Sequence, residues 1–484
     1  MIRASRPALI TTVLLAVLMA PAAALGSIGD IFTIAGGGTK DELRPGFSGD
    51  GGPATDARLN LPFDVAVLPG GGYLIADTAN RRIRRVSRLG RISTVAGTGR
   101  AGSSGDGGPA RRATFRAPFA VAVTADGGFL VADEAASKIR LVSADGKIST
   151  VAGTGRRGFS GDGGPARRAR MRSPGYITAL TDGGFLFADS ENHRIRQVTA
   201  AGTITTVVGS GPAGAERGGF AGDGGPALRA RLDTPAAVDV TPGGALLVAD
   251  SFNNRVRRVS PSGRISTVAG SGPVGVDAGG FRGDGRQANR ARLSAPTDVE
   301  PLARGGFAIA DSANGRIRVV LPSGRIGTLA GSGRVGPRTG DGRRAIRASL
   351  IPLSIDVADD GLLISDPLLG RIRYVQLTRT RRLAIALVPE VTRGPRFAVD
   401  LVATLPASAR IQILRGEKLA ARARGVIGRP FRFPTLRPGR YTIRVVARTR
   451  NGQIATARTR IRLTAPRASA SASASRTGSG LVIR

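Results

Sequence analysis

Two acidic markers travel together six times along this chain, and that repetition limits what it can fold into more than any other feature. The first is a Gly-Asp-Gly element with its aspartate at Asp50, Asp106, Asp162, Asp223, Asp284 and Asp341. The second is an aspartate that closes an apolar run, at Asp77, Asp133, Asp189, Asp250, Asp311 and Asp366. It recurs at intervals of 56, 56, 61, 61 and 55 residues. A period of this kind marks one structural unit used repeatedly, each copy burying its apolar surface against its neighbours.

The unit can be read from residues 118–153. Residues 119–123 make a short apolar strand, and Asp126-Gly127-Gly128 turns it. Residues 129–132 form a second strand, 138–142 a third and 148–152 a fourth, with Asp145-Gly146 as another turn. Four short strands joined by glycine-containing turns make one blade of a β-propeller. The strands are apolar on both faces, as a blade sandwiched between two others requires. The sixth copy lacks a fourth strand after residues 371–375. Ile31-Phe32-Thr33-Ile34-Ala35-Gly36 at the other end matches Ile148-Ser149-Thr150-Val151-Ala152-Gly153. The expectation is an all-β, six-bladed β-propeller closed by its N-terminal strand, which would also shield a sheet edge.

Phe47-Ser48-Gly49-Asp50-Gly51-Gly52-Pro53-Ala54, with Ala76-Asp77-Thr78-Ala79-Asn80-Arg81-Arg82-Ile83-Arg84, resembles the bacterial NHL-repeat proteins. Residues 159–166 and 188–196 repeat the likeness, which covers residues 28–376. Copies five and six drift, with Arg286 and Arg343 where the others have glycine. The resemblance implies a propeller used mainly as a binding platform, with a minority of related propellers acting as metal-dependent enzymes.

Residues 1–24 read as a secretory signal: Arg3 and Arg6, an apolar run over 8–19 too short to span a bilayer, and Ala22-Ala23-Ala24 as a cleavage site. The alternative is an uncleaved anchor. No later segment is long and apolar enough to cross a membrane. The chain has no cysteine and one histidine, His193. That excludes a disulfide framework, a thiolate metal site and a multi-histidine zinc site. The net charge is +37, with only four lysines. Secretion and the 4% aromatic content weigh against nucleic acid as partner.

Most recurring residues read as structural. The Gly-Asp-Gly aspartates are expected to cap turns. Asp77 and its counterparts are expected to hold the next loop or to pair with a recurring arginine such as Arg84. His193 stands where other copies have Asn or Arg and reads as a turn residue. The differences between copies are more informative. Inner strands start after Pro62, Pro118, Pro174, Pro235, Pro296 and Pro352. Two residues on stand Asp64, Ala120, Tyr176, Ala237, Asp298 and Ser354; four residues on stand Ala66, Ala122, Thr178, Asp239, Glu300 and Asp356. Alternate strand positions share a side. Asp64, Asp239, Asp298, Glu300 and Asp356 are thus expected to form an acidic arc at the central channel, suited to calcium or a cationic group, against the plainer reading of a wet polar channel.

The pattern stops near Gln376. Strands are expected at 382–389, 397–405, 409–414, 418–424, 441–447 and 454–463. The run from Leu436 to Ile443 resembles the strand entry of small immunoglobulin-like or fibronectin-like sandwiches. The domain expectation is a signal peptide at 1–24, a propeller at 25–376, a β-sandwich at 377–465 and a disordered Ser/Ala-rich tail at 466–484. Residues 377–465 hold 20 basic and three acidic residues. Arg458, Arg460 and Arg462 alternate along one strand, as do Arg444 and Arg448 on the one before. The resulting basic face is solvated, or it attaches the chain to an anionic cell-wall polymer. The leading function is a secreted or envelope-associated, non-catalytic scaffold for an extracellular protein, peptide or glycan. The rival is a calcium-dependent hydrolase or lyase that uses the acidic arc.

Overall fold

The computed structural model describes residues 29–37, 46–211, 218–302, 305–334, 336, 340–358 and 361–377. Beyond these it describes the strands Ile385–Glu390, Phe397–Ala403, Ser408–Arg415, Lys418–Val426, Phe431–Phe433, Gly439–Arg448 and Ile454–Leu463, with the turn at 416–417. The signal at 1–24 and the tail at 466–484 lie outside the described residues. Helical structure within them is confined to three-residue 3-10 turns. The chain divides into two compact units, one built from the repeats and one from the strands after residue 383.

The first unit is the expected six-bladed propeller. Blade 1 runs Pro62–Val67, Gly72–Asp77, Arg82–Ser87 and Ile92–Ala96, paired antiparallel in that order. Blades 2 to 5 repeat this from Pro118–Val123, Pro174–Ala179, Pro235–Val240 and Pro296–Pro301. Blade 6 comprises Ile355–Ala358, Gly361–Asp366 and Arg371–Gln376, and its outer strand is Asp30–Ala35. Ile31 pairs with Val375 and Thr33 with Arg373, so the N-terminal strand closes the ring. Each inner strand touches the inner strands of both neighbouring blades, and that of blade 6 touches that of blade 1.

Each blade repeats one packing solution. The loop arriving from the previous blade crosses the outer strand: Gly51 N–H donates to Ile92 O at 2.7 Å and Ile92 N–H to Gly52 O at 3.0 Å. Gly49 makes this crossing possible. Its φ is +90°, and a Cβ there would lie 2.7 Å from the Cα of Ala57. That loop and the link between the second and third strands share one face of the propeller, tied by Asn80 Nδ2 donating to Gly46 O at 2.7 Å.

The second unit has two antiparallel sheets. In one, Phe397–Ala403 lies between Ile385–Glu390 and Phe431–Phe433. In the other the order is Lys418–Val426, Ser408–Arg415, Gly439–Arg448, Ile454–Leu463. Phe431–Phe433 is a strand the sequence did not suggest; three residues are too few to show an alternation. In the four-stranded sheet, Ala409, Ile411, Ile413, Ala421, Tyr441, Ile443 and Val445 are buried and the residues between them mostly point outward. That is the period-2 pattern of a sheet with one covered face.

Candidate functional site

The recurring aspartates and arginines combine into one lock per blade. Arg84, Arg140, Arg196, Arg257, Arg318 and Arg373 are the largest fully buried side chains. Arg84 donates through Nη1 to Asp77 at 3.2 Å and through Nη2 to Asp50 at 2.8 Å. Asp77 also accepts the N–H of Asn60 and the amide of Asn80. The Gly-Asp-Gly aspartates therefore do not chiefly cap turns, contrary to expectation. Each carboxylate is the landing point of the arginine 34 residues ahead in blades 1 to 5, which pins the inter-blade loop to its blade. A phenylalanine lies over a guanidinium in five blades: Phe47 on Arg82 and Arg84, Phe115 on Arg140, Phe159 on Arg194 and Arg196, Phe220 on Arg255 and Arg257, Phe281 on Arg316 and Arg318.

His193 is a turn residue, as its position suggested. It sits in the left-handed region with φ 57° at the end of a 3-10 turn and is fully buried. Its Nδ1 accepts the N–H of Thr234 at 3.0 Å. Asn254 does the same one blade later, its Oδ1 accepting the N–H of Ala295 at 2.8 Å. The imidazole thus holds two blades together.

The five acids all lie on the inner strands, near enough for their charges to act on one another, and most of them are also engaged by backbone amides. The inner strand is the free edge of each blade, and its outward N–H groups need acceptors. Asp64 supplies both: Oδ1 accepts Val65 N–H at 2.8 Å and Oδ2 accepts Val121 N–H, in blade 2, at 2.7 Å. Asp298 repeats this with Val299 and with Ile355 of blade 6, both at 2.8 Å. Asp356 accepts Val67 N–H of blade 1, and Ser354 Oγ accepts Val65 N–H at 3.2 Å. These side chains are clips from one blade to the next.

Asp239 and Glu300 make a separate pair. Asp239 Oδ1 accepts Val240 N–H at 2.7 Å, and Glu300 hydrogen-bonds its carboxylate. Burial raises all five acids. Asp64 and Asp356 are pushed up to about 7 and Asp239 to about 6. Glu300 is raised well above the usual range, first by burial and then by the charges of Asp239, Asp356 and Asp298. Burial and these neighbouring carboxylates together favour the neutral form of Glu300. The expectation of a calcium site does not find its geometry. Among the described residues no group of three or more His, Asp or Glu could surround a metal ion, because clip oxygens face backbone amides instead of one another.

The opposite arc is aromatic. Phe63 lies edge-on to Phe119 at 5.3 Å, and Phe119 packs on Tyr176 at 5.2 Å. Tyr176 Oη donates to Phe63 O at 3.2 Å, reaching from blade 3 to blade 1 across the space that Ala120 leaves open in blade 2. The inner-strand columns contained this half: Tyr176 opposes the acids at the same position, and Phe63 and Phe119 follow the marking prolines.

On the second unit, Arg444 is exposed and lies opposite Arg458 in register. The side chains of Arg448, Arg458, Arg460 and Arg462 lie outside what the structure describes. Arg410, Arg422, Arg424 and Arg440 are exposed on the same sheet and were not anticipated. Only the strand order, with Ser408–Arg415 at the centre, brings them beside Arg444.

Comparison with known proteins shows a propeller and little more. No family model matches the chain. A stretch of 236 residues is 29% identical to mouse teneurin-4, covering 44% of this chain and 8% of that protein. A shorter stretch is 36% identical to human teneurin-4 over 103 residues, 19% of this chain and 4% of that one. The chain thus spans under a tenth of the length of these curated relatives. Among solved structures, an auxiliary nutrient binding protein from Bacteroides ovatus superposes with TM-score 0.51 at 16% identity, over 72% of this chain and 76% of that one. Its counterpart from Bacteroides thetaiotaomicron gives 0.51 at 14% identity, over 71% and 75%. Likenesses this distant in sequence speak to fold alone.

Proposed function

We propose that this chain is a secreted, non-catalytic binding protein of the NHL-repeat kind, holding an extracellular protein, peptide or glycan on the looped face of its propeller. The observation that carries this reading is the use of the channel carboxylates. Asp64, Asp298 and Asp356 accept amides across blade boundaries, so these groups hold the ring together. A propeller hydrolase or lyase would need such groups free to meet substrate or metal.

The platform varies most where the repeat is five residues longer, in the loops joining blades 3 to 4 and 4 to 5. The second of these folds back on its own blade. Gly275 N–H donates to Phe252 O, and Asn254 Nδ2 donates to Gly275 O, both at 2.7 Å. It leaves Val274 exposed. Apolar residues on a loop held by a rigid scaffold are a usual basis for recognition. Two Bacteroides proteins of this fold are described as nutrient binding, which is in keeping with this use.

The test pairs two measurements on the full chain. Metal analysis and esterase and lactonase screens are expected to show no stoichiometric metal and no turnover. Peptide and glycan arrays are expected to yield a ligand whose binding is lost when residues 272–277 are shortened to the length of the blade 1 to 2 loop. Turnover abolished by Asp239→Asn would establish the enzyme reading instead.

A further inference from the structure

We infer that the four-stranded sheet of the second unit is a docking face for a flexible polyol-phosphate polymer, gripped by a lattice of arginines. The inference goes beyond the propeller reading above and rests on secretion for where such a polymer is met.

The lattice follows from register. Arg422 pairs with Gln412, Gln412 with Arg444 and Arg444 with Arg458, giving one row across all four strands. Arg424 pairs with Arg410 in the next row. On the other side, Arg460 stands opposite Thr442, and Arg462 opposite Arg440. Residues paired across antiparallel strands share a face. Arg410, Arg422, Arg424, Arg440 and Arg444 are exposed, and alternate residues on the same strands are buried. The arginines therefore stand on a packed sheet and not on a mobile tail. The one acid in these four strands and their described turn is Glu417, at the hairpin tip. Among the described residues no carboxylate pairs with any of the five exposed arginines.

Like charges directly opposite one another destabilise a sheet. Folding alone therefore gives no reason to place Arg444 beside Arg458 with so few acids nearby; an external anion does. Neighbouring sites are about 5 Å apart across strands and about 7 Å apart along them, a spacing that a chain with one phosphate per short polyol can follow. Guanidinium binds phosphate oxygens through two parallel N–H bonds, and in these strands arginine outnumbers lysine, which occurs once, at Lys418. The exposed residues beside the arginines are Gln412 and Val446, so the face offers no ring on which a nucleobase could stack.

The experiment uses full-length protein and three probes: poly(glycerol phosphate), polygalacturonate and an oligo(dT) strand, titrated from low to physiological salt. The phosphate polymer is expected to bind most tightly. Replacing Arg410, Arg422 and Arg444 together by Gln is expected to reduce the slope of log affinity against log salt by about 2, and affinity near 0.1 M salt by roughly 30-fold. A control with Arg111, Arg112 and Arg167 of the propeller changed to Gln removes the same charge and is expected to leave binding within about threefold. Gln412→Glu, which sets one carboxylate in the middle of the row, repeats the loss with minimal disturbance if the triple variant folds poorly. Equal losses in variant and control would reduce the effect to net charge and overturn the proposal. So would tighter binding of oligo(dT) or of polygalacturonate. Polymer binding unaffected by shortening residues 272–277 keeps this outcome separate from that of the propeller ligand.

Discussion

An arginine with no solvent contact needs a full set of acceptors, and Arg257 has one. Its guanidinium meets Asp223 at 2.6 Å and Asp250 at 3.2 Å and caps the backbone carbonyls of Ala221 and Arg231. Removing the cation strands the fully buried Asp250 carboxylate, and breaking such a pair costs about 3–5 kcal/mol. Arg257→Met is therefore expected to lower stability by that amount in a urea titration, whereas exposed Arg258→Met is expected to change it by less than about 0.5 kcal/mol. The channel acids predict a pH effect of definite sign. Asp64 and Asp356 stand near 7 and Asp239 near 6 in the fold, while aspartate in an unfolded chain titrates near 4. Between these values the folded chain holds more protons, so stability falls as pH rises from about 4 to about 7. Asp77, Asp189, Asp250 and Asp311, raised to about 6 by burial, act in the same direction. The propeller is expected to melt several degrees lower at pH 8 than at pH 5 in scanning calorimetry. Asp239→Asn should shrink that gap; a melting temperature that rises between pH 5 and 8 would contradict the assignment.

The strand Asp30–Ala35 does for blade 6 what Ile92–Ala96 and its equivalents do for the others, but it arrives from the far end of the chain. Ile31 and Ala35 are fully buried, and Phe32 faces Tyr374 in register. A proline at Thr33 removes a ladder donor and is expected to open blade 6 selectively. Limited proteolysis should then cut first within 361–377, and a synthetic peptide of residues 28–37 should protect that segment when added back to a chain lacking it. This element was legible because Ile31 to Gly36 copies the outer strands almost letter for letter. The blades were legible because two aspartates keep pace six times. The clips were not, because the amides bound by Asp64 and Asp298 belong to Val121 and Ile355, and an acid column in a sequence does not reveal an acceptor's partner in the next blade. The arginine row was half legible for the same reason: alternation within a strand picks out Arg444 and Arg458, but only the sheet order adds Arg410, Arg422 and Arg424.

At the scale of the whole molecule, the two units differ in how they are held. The propeller depends on buried ion pairs and carboxylate clips repeated round a ring, and the second unit on an alternating apolar face with arginines outside. They are expected to unfold in separate calorimetric steps, with the pH sensitivity confined to the propeller's step and the response to poly(glycerol phosphate) confined to the other. The closing strand has a further consequence, and it concerns time. Asp30–Ala35 leaves the ribosome before any part of its partner Arg371–Gln376. At about 5–20 residues per second the interval is on the order of half a minute. Throughout it the first strand carries an unpaired edge, and the ring can close only once residues 371–376 have been made. For most of its synthesis such a chain offers that edge to any strand able to pair with it.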